Sequence, residues 1–247
     1  MAEFKIKVAG QTARVTSLFE STRDYCRAYL TEEREDFSIA VTREDLAFEQ
    51  QMLYEEALEE GMRVRRFTDP FLDRAAIQRK FAEQLFDCGT LLFHGSAVAV
   101  DGEGYLFTAK CGTGKSTHTR LWRQVFGDRA VMVNDDKPFL HITESGVLLH
   151  GAPWSGKHGL DANISVPLKG ICILERGTEN HVERIGAGEA LDMLRKQAYC
   201  PLGPEKLPAF SELVDKLAKN VPLWKMYCNK EPQAAEISYA AMSGNEK

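Results

Sequence analysis

Hydrophobic and polar residues alternate in short stretches through the first third of the chain. In the segments between these stretches, apolar residues recur at the spacing of an α-helix. Gly61 lies where a helix C-cap is expected, Asp69 is a suitable N-cap, and Pro70 suits a first helical position. We therefore expect a leading domain at residues 1–88, with a small α/β or α+β fold that helps to shape a substrate pocket. The pattern predicts strands at residues 4–8 and 37–42 and helices at residues 18–30, 43–60 and 69–86.

From about residue 89 the pattern changes to long apolar runs. The run at residues 90–100, a turn at residues 101–104 and a second run at residues 105–109 are typical of a β-hairpin. We expect residues 89–247 to form an α/β catalytic domain. Its further elements are predicted as strands at residues 130–134, 139–143, 147–150, 170–175 and 181–184, and as helices at residues 115–125, 188–197, 204–219 and 232–242.

A glycine-rich loop separates the hairpin from the first helix of this domain. Small residues between a strand and a helix let backbone N–H groups and the helix N-terminus face a phosphate chain. Lys115 supplies a cation, and the Ser116 hydroxyl can ligate Mg²⁺. The alternative is a strand–helix turn without a ligand. The predicted nucleotide-binding residues are Lys110, Cys111, Gly112, Thr113, Gly114, Lys115, Ser116 and Thr117.

The loop departs at one position from the pattern G-x-x-x-x-G-K-[ST]. Ala109 stands where the first glycine is usual. Alanine can follow the loop if its φ stays negative. We therefore interpret the loop as a variant Walker A motif.

Two adjacent carboxylates, Asp135 and Asp136, follow the strand predicted at residues 130–134. Adjacent strand residues point to opposite faces, so we expect one carboxylate to hold Mg²⁺ and the other to accept a proton from an attacking hydroxyl. A solvated acidic turn is the alternative. His94, in the run before the loop, is either a core residue or a contact to phosphate or metal.

A second loop follows the strand predicted at residues 147–150. Lys157 in this loop is a candidate to neutralise the transferring phosphoryl group or an anionic substrate, and Trp154 could exclude water. A structural turn with an exposed lysine is the alternative. Arg176, just past a predicted strand, is a weaker candidate for phosphate stabilisation.

Charge and composition limit the classes of binding partner that we expect. The chain has 31 Lys plus Arg against 36 Asp plus Glu, a formal net charge of −5, so we expect neither nucleic acid nor an anionic membrane as a partner. No stretch approaches the roughly 18 to 20 apolar residues of a membrane span, and the start lacks the apolar region of a signal peptide. Six scattered cysteines predict reduced, mostly buried thiols and a cytoplasmic protein.

Three motifs in order carry a resemblance to a known superfamily. These motifs are Phe93-His-Gly-Ser-Ala-Val98, the glycine-rich loop and Asn134-Asp-Asp136, in that order. Over residues 90–176 the chain resembles, in these motifs, the superfamily of HPr kinase/phosphorylase and ATP-type phosphoenolpyruvate carboxykinase. The resemblance implies a P-loop kinase core with a mixed β-sheet that uses ATP and Mg²⁺, with Mn²⁺ as the alternative ion. It also implies that His94 faces the phosphates or metal, that Asp135 is the base and that Asp136 binds the metal.

The departures from this superfamily are also specific. The oxaloacetate-binding arginine motifs of the carboxykinases are absent, and the Arg-Gly-x-Gly signature of HPr kinase is replaced by residues 150–159, which resemble those of smaller HPr-kinase-like proteins. We therefore expect an HPr-kinase-like, ATP-dependent kinase that phosphorylates a hydroxyl of a small metabolite or of a protein or peptide serine. The alternatives are a non-catalytic ATP-binding regulatory protein and a carboxykinase- or phosphorylase-like reaction. The residues leave open the acceptor, the oligomeric state, and ATP versus GTP, ADP or pyrophosphate as donor.

Overall fold

The computed structural model describes residues 1–59 and 61–244 of the chain. The chain divides into two compact units, Met1–Leu85 and Phe86–Lys247. The division lies at the end of the third helix, whereas the sequence pattern placed it at residue 88. The roles expected of the two domains stay predictions.

The first unit contains a three-stranded sheet in the order β1-β2-β3. The first two strands pair antiparallel, and the second and third pair parallel. Asp73 is fully buried and accepts hydrogen bonds from the Ser17 and Thr22 hydroxyls, both at 2.6 Å. The elements are β1 (Ala2–Val8), β2 (Gln11–Ser17), α1 (Glu20–Tyr25), β3 (Phe37–Ala40), α2 (Arg43–Glu59) and α3 (Asp69–Phe86).

Two predictions for this unit were wrong. The sequence pattern missed β2, because the polar residues Thr12 and Ser17 are buried along with Ala13 and Val15 and the alternation is weak. The helix predicted at residues 18–30 is shorter and continues as a 3₁₀ turn, Arg27–Tyr29. The predicted end of α2, Glu60, lies outside the described residues.

Over its described residues, 86–244, the second unit contains a nine-stranded mixed sheet flanked by four helices. Its strands are β4 (Thr90–Leu92), β5 (Ser96–Val100), β6 (Glu103–Thr108), β7 (Ala130–Asn134), β8 (Phe139–Thr143), β9 (Gly146–His150), β10 (Ser165–Arg176), β11 (His181–Ile185) and β12 (Leu223–Cys228). Its helices are α4 (Lys115–Phe126), α5 (Ala187–Gln197), α6 (Leu207–Asn220) and α7 (Gln233–Ser243).

The long strand β10 lies at the centre of this sheet. The order is β4-β8-β9-β10-β6-β5-β7, and β12 pairs with both β10 and β11. β10 pairs parallel with β6 and β12 and antiparallel with β9. The protein is therefore an α/β protein with a mixed sheet, as the sequence predicted.

Both faces of the central strands are buried. Alternate residues of β5 belong to different core clusters, with Ala97 and Ala99 in one and Val98 and Val100 in the other. Residues of α5 and α6 complete the first cluster, and residues of α4 and α7, including the fully buried Trp122, complete the second. Burial on both faces explains why this part of the sequence has continuous apolar runs.

The apolar run at residues 90–100 forms two strands, where one was predicted. β4 pairs with β8, and β5 pairs with β6 and β7. His94 lies in the break between them and not in a strand: its backbone N–H donates to the Gln197 carbonyl at 2.7 Å, and the next N–H, of Gly95, donates to the Asp136 carbonyl at 3.0 Å. Contacts distant in sequence therefore interrupt a run that looks continuous.

Three further differences concern the end of the chain and the cysteines. β12 was not predicted, and the helix predicted from residue 204 begins as a 3₁₀ turn before α6. None of the six cysteines forms a disulfide, but only Cys26 and Cys172 are buried, so the prediction of mostly buried thiols was wrong. Cys88 and Cys111 are exposed because each lies in a connection between elements. Among the described helices, none has the length and apolar character needed to cross a membrane.

Candidate functional site

The glycine-rich loop, residues 110–114, connects β6 to α4. Gly112 and Gly114 adopt positive φ values of 72° and 131°, a region that L side chains rarely occupy. Ala109 does not adopt a positive φ and is fully buried, so it meets the condition under which alanine can replace glycine there. The Thr113 N–H donates to the Lys110 carbonyl at 3.2 Å, which closes the turn.

The loop leaves the start of α4 open to solvent. α4 begins at Lys115, its N-cap is Gly114, and no side chain caps it. The N–H groups of its first turn therefore keep the partial positive charge of a helix N-terminus. Ser116 is exposed and Thr117 half-buried in this turn, while Lys110 and Cys111 are exposed in the loop.

Asn134 organises the turn that carries the paired aspartates. It ends β7 and is fully buried. Its side-chain carbonyl accepts hydrogen bonds from the N–H groups of Asp136 and Lys137, at 2.8 and 2.6 Å. Its amide donates to the carbonyls of Ala152 and Trp154, at 2.8 and 3.3 Å. One side chain therefore holds the aspartate turn against the second loop.

The two aspartates contact different groups. Asp135 is buried, and the Ser96 hydroxyl donates to its Oδ1 at 2.6 Å. The same hydroxyl lies 2.7 Å from the Thr119 hydroxyl of α4. Asp135 is thus linked through Ser96 to the helix that begins at the glycine-rich loop.

Asp136 lies beside His94, with 3.4 Å between its Oδ1 and the imidazole Nε2. Burial, together with the charges of Lys137 and Lys115, lowers the pKa of His94 to about 2. The ring is therefore neutral at physiological pH, and this contact is not an ion pair. Burial raises the pKa of Asp136, while Lys137 and Lys115 oppose the rise and Asp135 adds to it.

Lys115 belongs to this group of charges. Its ammonium donates to the Ala109 carbonyl at 3.2 Å, and its charge acts on both His94 and Asp136. The structure therefore brings the start of α4, the break after β4 and the end of β7 to one place. Lys137 is a further charged group there, and the sequence analysis assigned it no role.

The second loop reaches the same place. Gly156 has a φ of 70°, and a Cβ on it would lie 3.1 Å from the Asp136 Cβ. Lys157, the next residue, is exposed in the 3₁₀ turn Gly156–His158. Trp154 is buried, with its ring centre 6.4 Å from that of Phe139, so it packs in the core.

Arg176 ends β10, and its guanidinium donates to the Gly112 carbonyl at 2.7 Å. Because β10 runs parallel to β6, the end of β10 lies beside the strand end that leads into the glycine-rich loop. Sequence reasoning ranked Arg176 below Lys157 and assigned no role to Ser96. The position of Ser96 two residues after His94 was the available signal.

The oxygen donors at this place are of the type that Mg²⁺ prefers. Within residues 1–59 and 61–244, no group of three or more His, Cys, Asp and Glu side chains is placed to hold a metal ion. Mg²⁺ at phosphate sites takes one or two protein ligands and completes its shell with phosphate oxygens and water. The Ser116 hydroxyl and the Asp136 carboxylate fit this donor set, and a bound cation would stabilise the ionised form that burial disfavours in Asp136.

Comparisons with known proteins give a family and distant likenesses to solved structures. No curated protein matches the chain by sequence. Among solved structures, the Hpr(Ser) kinase/phosphatase from Coxiella burnetii matches over 62% of this chain and 95% of that chain, with a TM-score of 0.35 and 10% sequence identity. Residues 77–200, half of the chain, match the family described as SynChlorMet cassette protein ScmC, and the chain therefore belongs to that family.

Proposed function

We propose that the second unit is an ATP-dependent kinase that transfers the γ-phosphoryl group to a hydroxyl of a small metabolite or of a protein or peptide serine. One observation carries the proposal: the Lys115 ammonium, at the uncapped start of α4, acts electrostatically on His94 and Asp136, as Lys137 also does. A helix N-terminus and a lysine favour phosphate, and a neighbouring carboxylate favours the metal ion that accompanies it.

Residues 110–117 bind the phosphate chain of the nucleotide in this proposal. The N–H groups at the start of α4 donate to phosphate oxygens, and Lys115 compensates their charge. Ser116 and Asp136 hold Mg²⁺, which when bound neutralises charge on the phosphates. The neutral His94 would face the phosphates or the metal ion, and the exposed Lys157 and Lys110 extend the positive region.

Asp135 accepts the proton of the acceptor hydroxyl. The acceptor oxygen forms a bond to the γ-phosphorus, the bond from that phosphorus to the β–γ bridging oxygen breaks, and ADP leaves. The proton moves to the Asp135 carboxylate, which Ser96 orients through its hydrogen bond. The acceptor binds as a hydroxyl compound, and nothing in the site calls for a nucleic acid.

The test separates binding from transfer. Calorimetry with Mg·ATP should give a 1:1 complex, and Lys115→Ala should weaken it at least tenfold, since the lysine charge is lost. Lys196→Ala is the matched control, because Lys196 is exposed in α5. Full nucleotide affinity in the Lys115 variant would refute the assignment of the phosphate site.

Transfer is followed with γ-labelled ATP and a panel of hydroxyl acceptors, namely sugars, polyols, free serine and serine peptides. Asp135→Asn should keep Mg·ATP binding and lose labelled product at least a hundredfold. Binding without any labelled product would instead favour a regulatory ATP-binding protein. Product that requires oxaloacetate or inorganic phosphate would favour a carboxykinase- or phosphorylase-like reaction.

A further inference from the structure

Four polar side chains form a row across four neighbouring strands of the second unit. Thr90 of β4 pairs with His141 of β8, and His150 of β9 pairs with Ser165 of β10. The two histidines lie on the same sheet face, because His141 is opposite Leu148, two residues before His150. We call Thr90, His141, His150 and Ser165 the histidine row.

The hydroxyls of the histidine row hold both imidazoles by the same nitrogen. The Thr90 Oγ1 lies 2.9 Å from the His141 Nδ1, and the Ser165 Oγ lies 2.6 Å from the His150 Nδ1. When Nδ1 carries the proton, Nε2 keeps its lone pair, and this arrangement is typical of metal-binding histidines. In this tautomer each ring leaves the lone pair of its Nε2 available to a ligand.

The Nε2 of His150 is a buried polar atom of the row that lacks a hydrogen-bond partner among the described residues. The residue as a whole is 6% exposed. A buried polar atom without a partner costs about 1–3 kcal/mol. Burial and the neighbouring His141 lower the pKa of His150 to about 4, so the ring stays neutral at physiological pH. A ligand that accepts this lone pair would remove the cost.

Solvent reaches the row from its outer side. Ser165 is exposed, Leu148 is 40% exposed and His141 is half-buried. The opposite face of the same strands carries Leu140 and Leu149, which are buried in the core with α5 and α6. The row therefore lies on the face away from the core with α5 and α6, with its His141 end open to solvent and the His150 Nε2 buried.

We propose that the histidine row binds a divalent transition-metal ion, of which Zn²⁺ is the representative, through the Nε2 atoms of His141 and His150. Imidazole nitrogens suit Zn²⁺, Cu²⁺ and Ni²⁺ and not Mg²⁺. The row offers two protein ligands, so water completes the coordination shell. This site is separate in its residues from the proposed kinase site and does not depend on it.

The distance between the rings is compatible with a shared ion after a small movement. The ring centres are 6.4 Å apart. With Zn–N bonds of about 2.1 Å, a tetrahedral ion places the two ring centres a little over about 5 Å apart. The rings must therefore approach by about 1 Å, which rotation of the half-buried His141 side chain can supply.

The experiment uses the full chain without an affinity tag, titrated calorimetrically with Zn²⁺ alone in the absence of nucleotide. We expect one site, and His141→Ala should weaken it at least tenfold. His181→Ala is the matched control, because His181 is exposed on β11 and outside the row. Equal Zn²⁺ affinity in wild type and His141→Ala would overturn the proposal.

A second measurement does not depend on any variant. Histidine side-chain ¹⁵N spectra of the wild-type protein should show the Nε2 resonances of both His141 and His150 moving on Zn²⁺ addition, with the Nε2 of His181 unchanged. Unchanged resonances of the two row histidines at saturating Zn²⁺ would overturn the proposal even if the chain bound Zn²⁺ elsewhere. Failure of Mg·ATP binding would affect the proposed kinase function alone.

Discussion

Replacement of Asn134 by alanine tests whether the aspartate turn depends on a single buried side chain. The substitution removes three short hydrogen bonds, of 2.8, 2.8 and 2.6 Å, and one long one of 3.3 Å. Each buried bond contributes about 1 kcal/mol net, and the long one contributes less. We therefore expect Asn134→Ala to lower the free energy of unfolding of the second unit by about 3 kcal/mol.

Urea unfolding followed by tryptophan fluorescence measures this change in one unit. The three tryptophans, Trp122, Trp154 and Trp224, all belong to the Phe86–Lys247 unit, so the signal reports its unfolding alone. With an m-value of about 2 kcal/mol/M, the midpoint should fall by about 1.5 M urea.

The control for this substitution is Asn220→Ala. Asn220 is exposed and donates one hydrogen bond, of 3.1 Å, to the Thr143 carbonyl. An exposed bond of this kind contributes less than about 0.5 kcal/mol. If the Asn134 and Asn220 variants unfold at the same urea concentration, the reasoning that one buried amide holds the two loops together is wrong.

Two further predictions concern the same site. Gly156→Ala should lower phosphoryl transfer at least tenfold with Mg·ATP binding retained, because its Cβ would lie 3.1 Å from the Asp136 Cβ. The control is Gly159→Ala, which has a φ of 58° and no atom within 4 Å of its Cβ, so it should share the backbone strain and keep transfer. Equal activities of the two variants would contradict the contact argument. Among the thiols, the exposed Cys111 should react with a maleimide reagent within minutes and be protected by Mg·ATP, while Cys172, whose pKa burial raises, should react only on unfolding. Mass spectrometry of tryptic peptides measures both reactions. Labelling of Cys111 at an unchanged rate under saturating Mg·ATP would count against nucleotide binding at the loop.

Local sequence determined the loop and the elements beside it. Gly112, Gly114 and Lys115 lie within four residues, and the positive φ of the two glycines is open to them because of their residue type alone. The hairpin turn at Asp101–Gly102 and the start of α4 at Lys115 are local in the same way. Such features could be predicted, since no distant contact is needed to form them.

The charged neighbourhood of the loop depended on contacts between distant residues. Ser96 meets Asp135 across 39 positions, and Arg176 meets Gly112 across 64. No periodic pattern encodes such pairs, because they arise from the order of strands in the sheet. The resemblance to a known superfamily anticipated that His94 and Asp136 would share a site, while the break that removes His94 from its predicted strand appeared only in three dimensions.

The sequence by itself therefore determined an α/β chain with a glycine-rich loop between a strand and a helix, because turns and helix starts form from neighbouring residues. Only the tertiary structure decided which side chains surround that loop, and it brought together the two histidines of the histidine row, which no sequence pattern had linked. Strand pairing is the physical reason in both cases. The parallel pairing of β10 with β6 places Arg176 beside the loop, and the register of β8 with β9 places His141 and His150 on one face of the sheet.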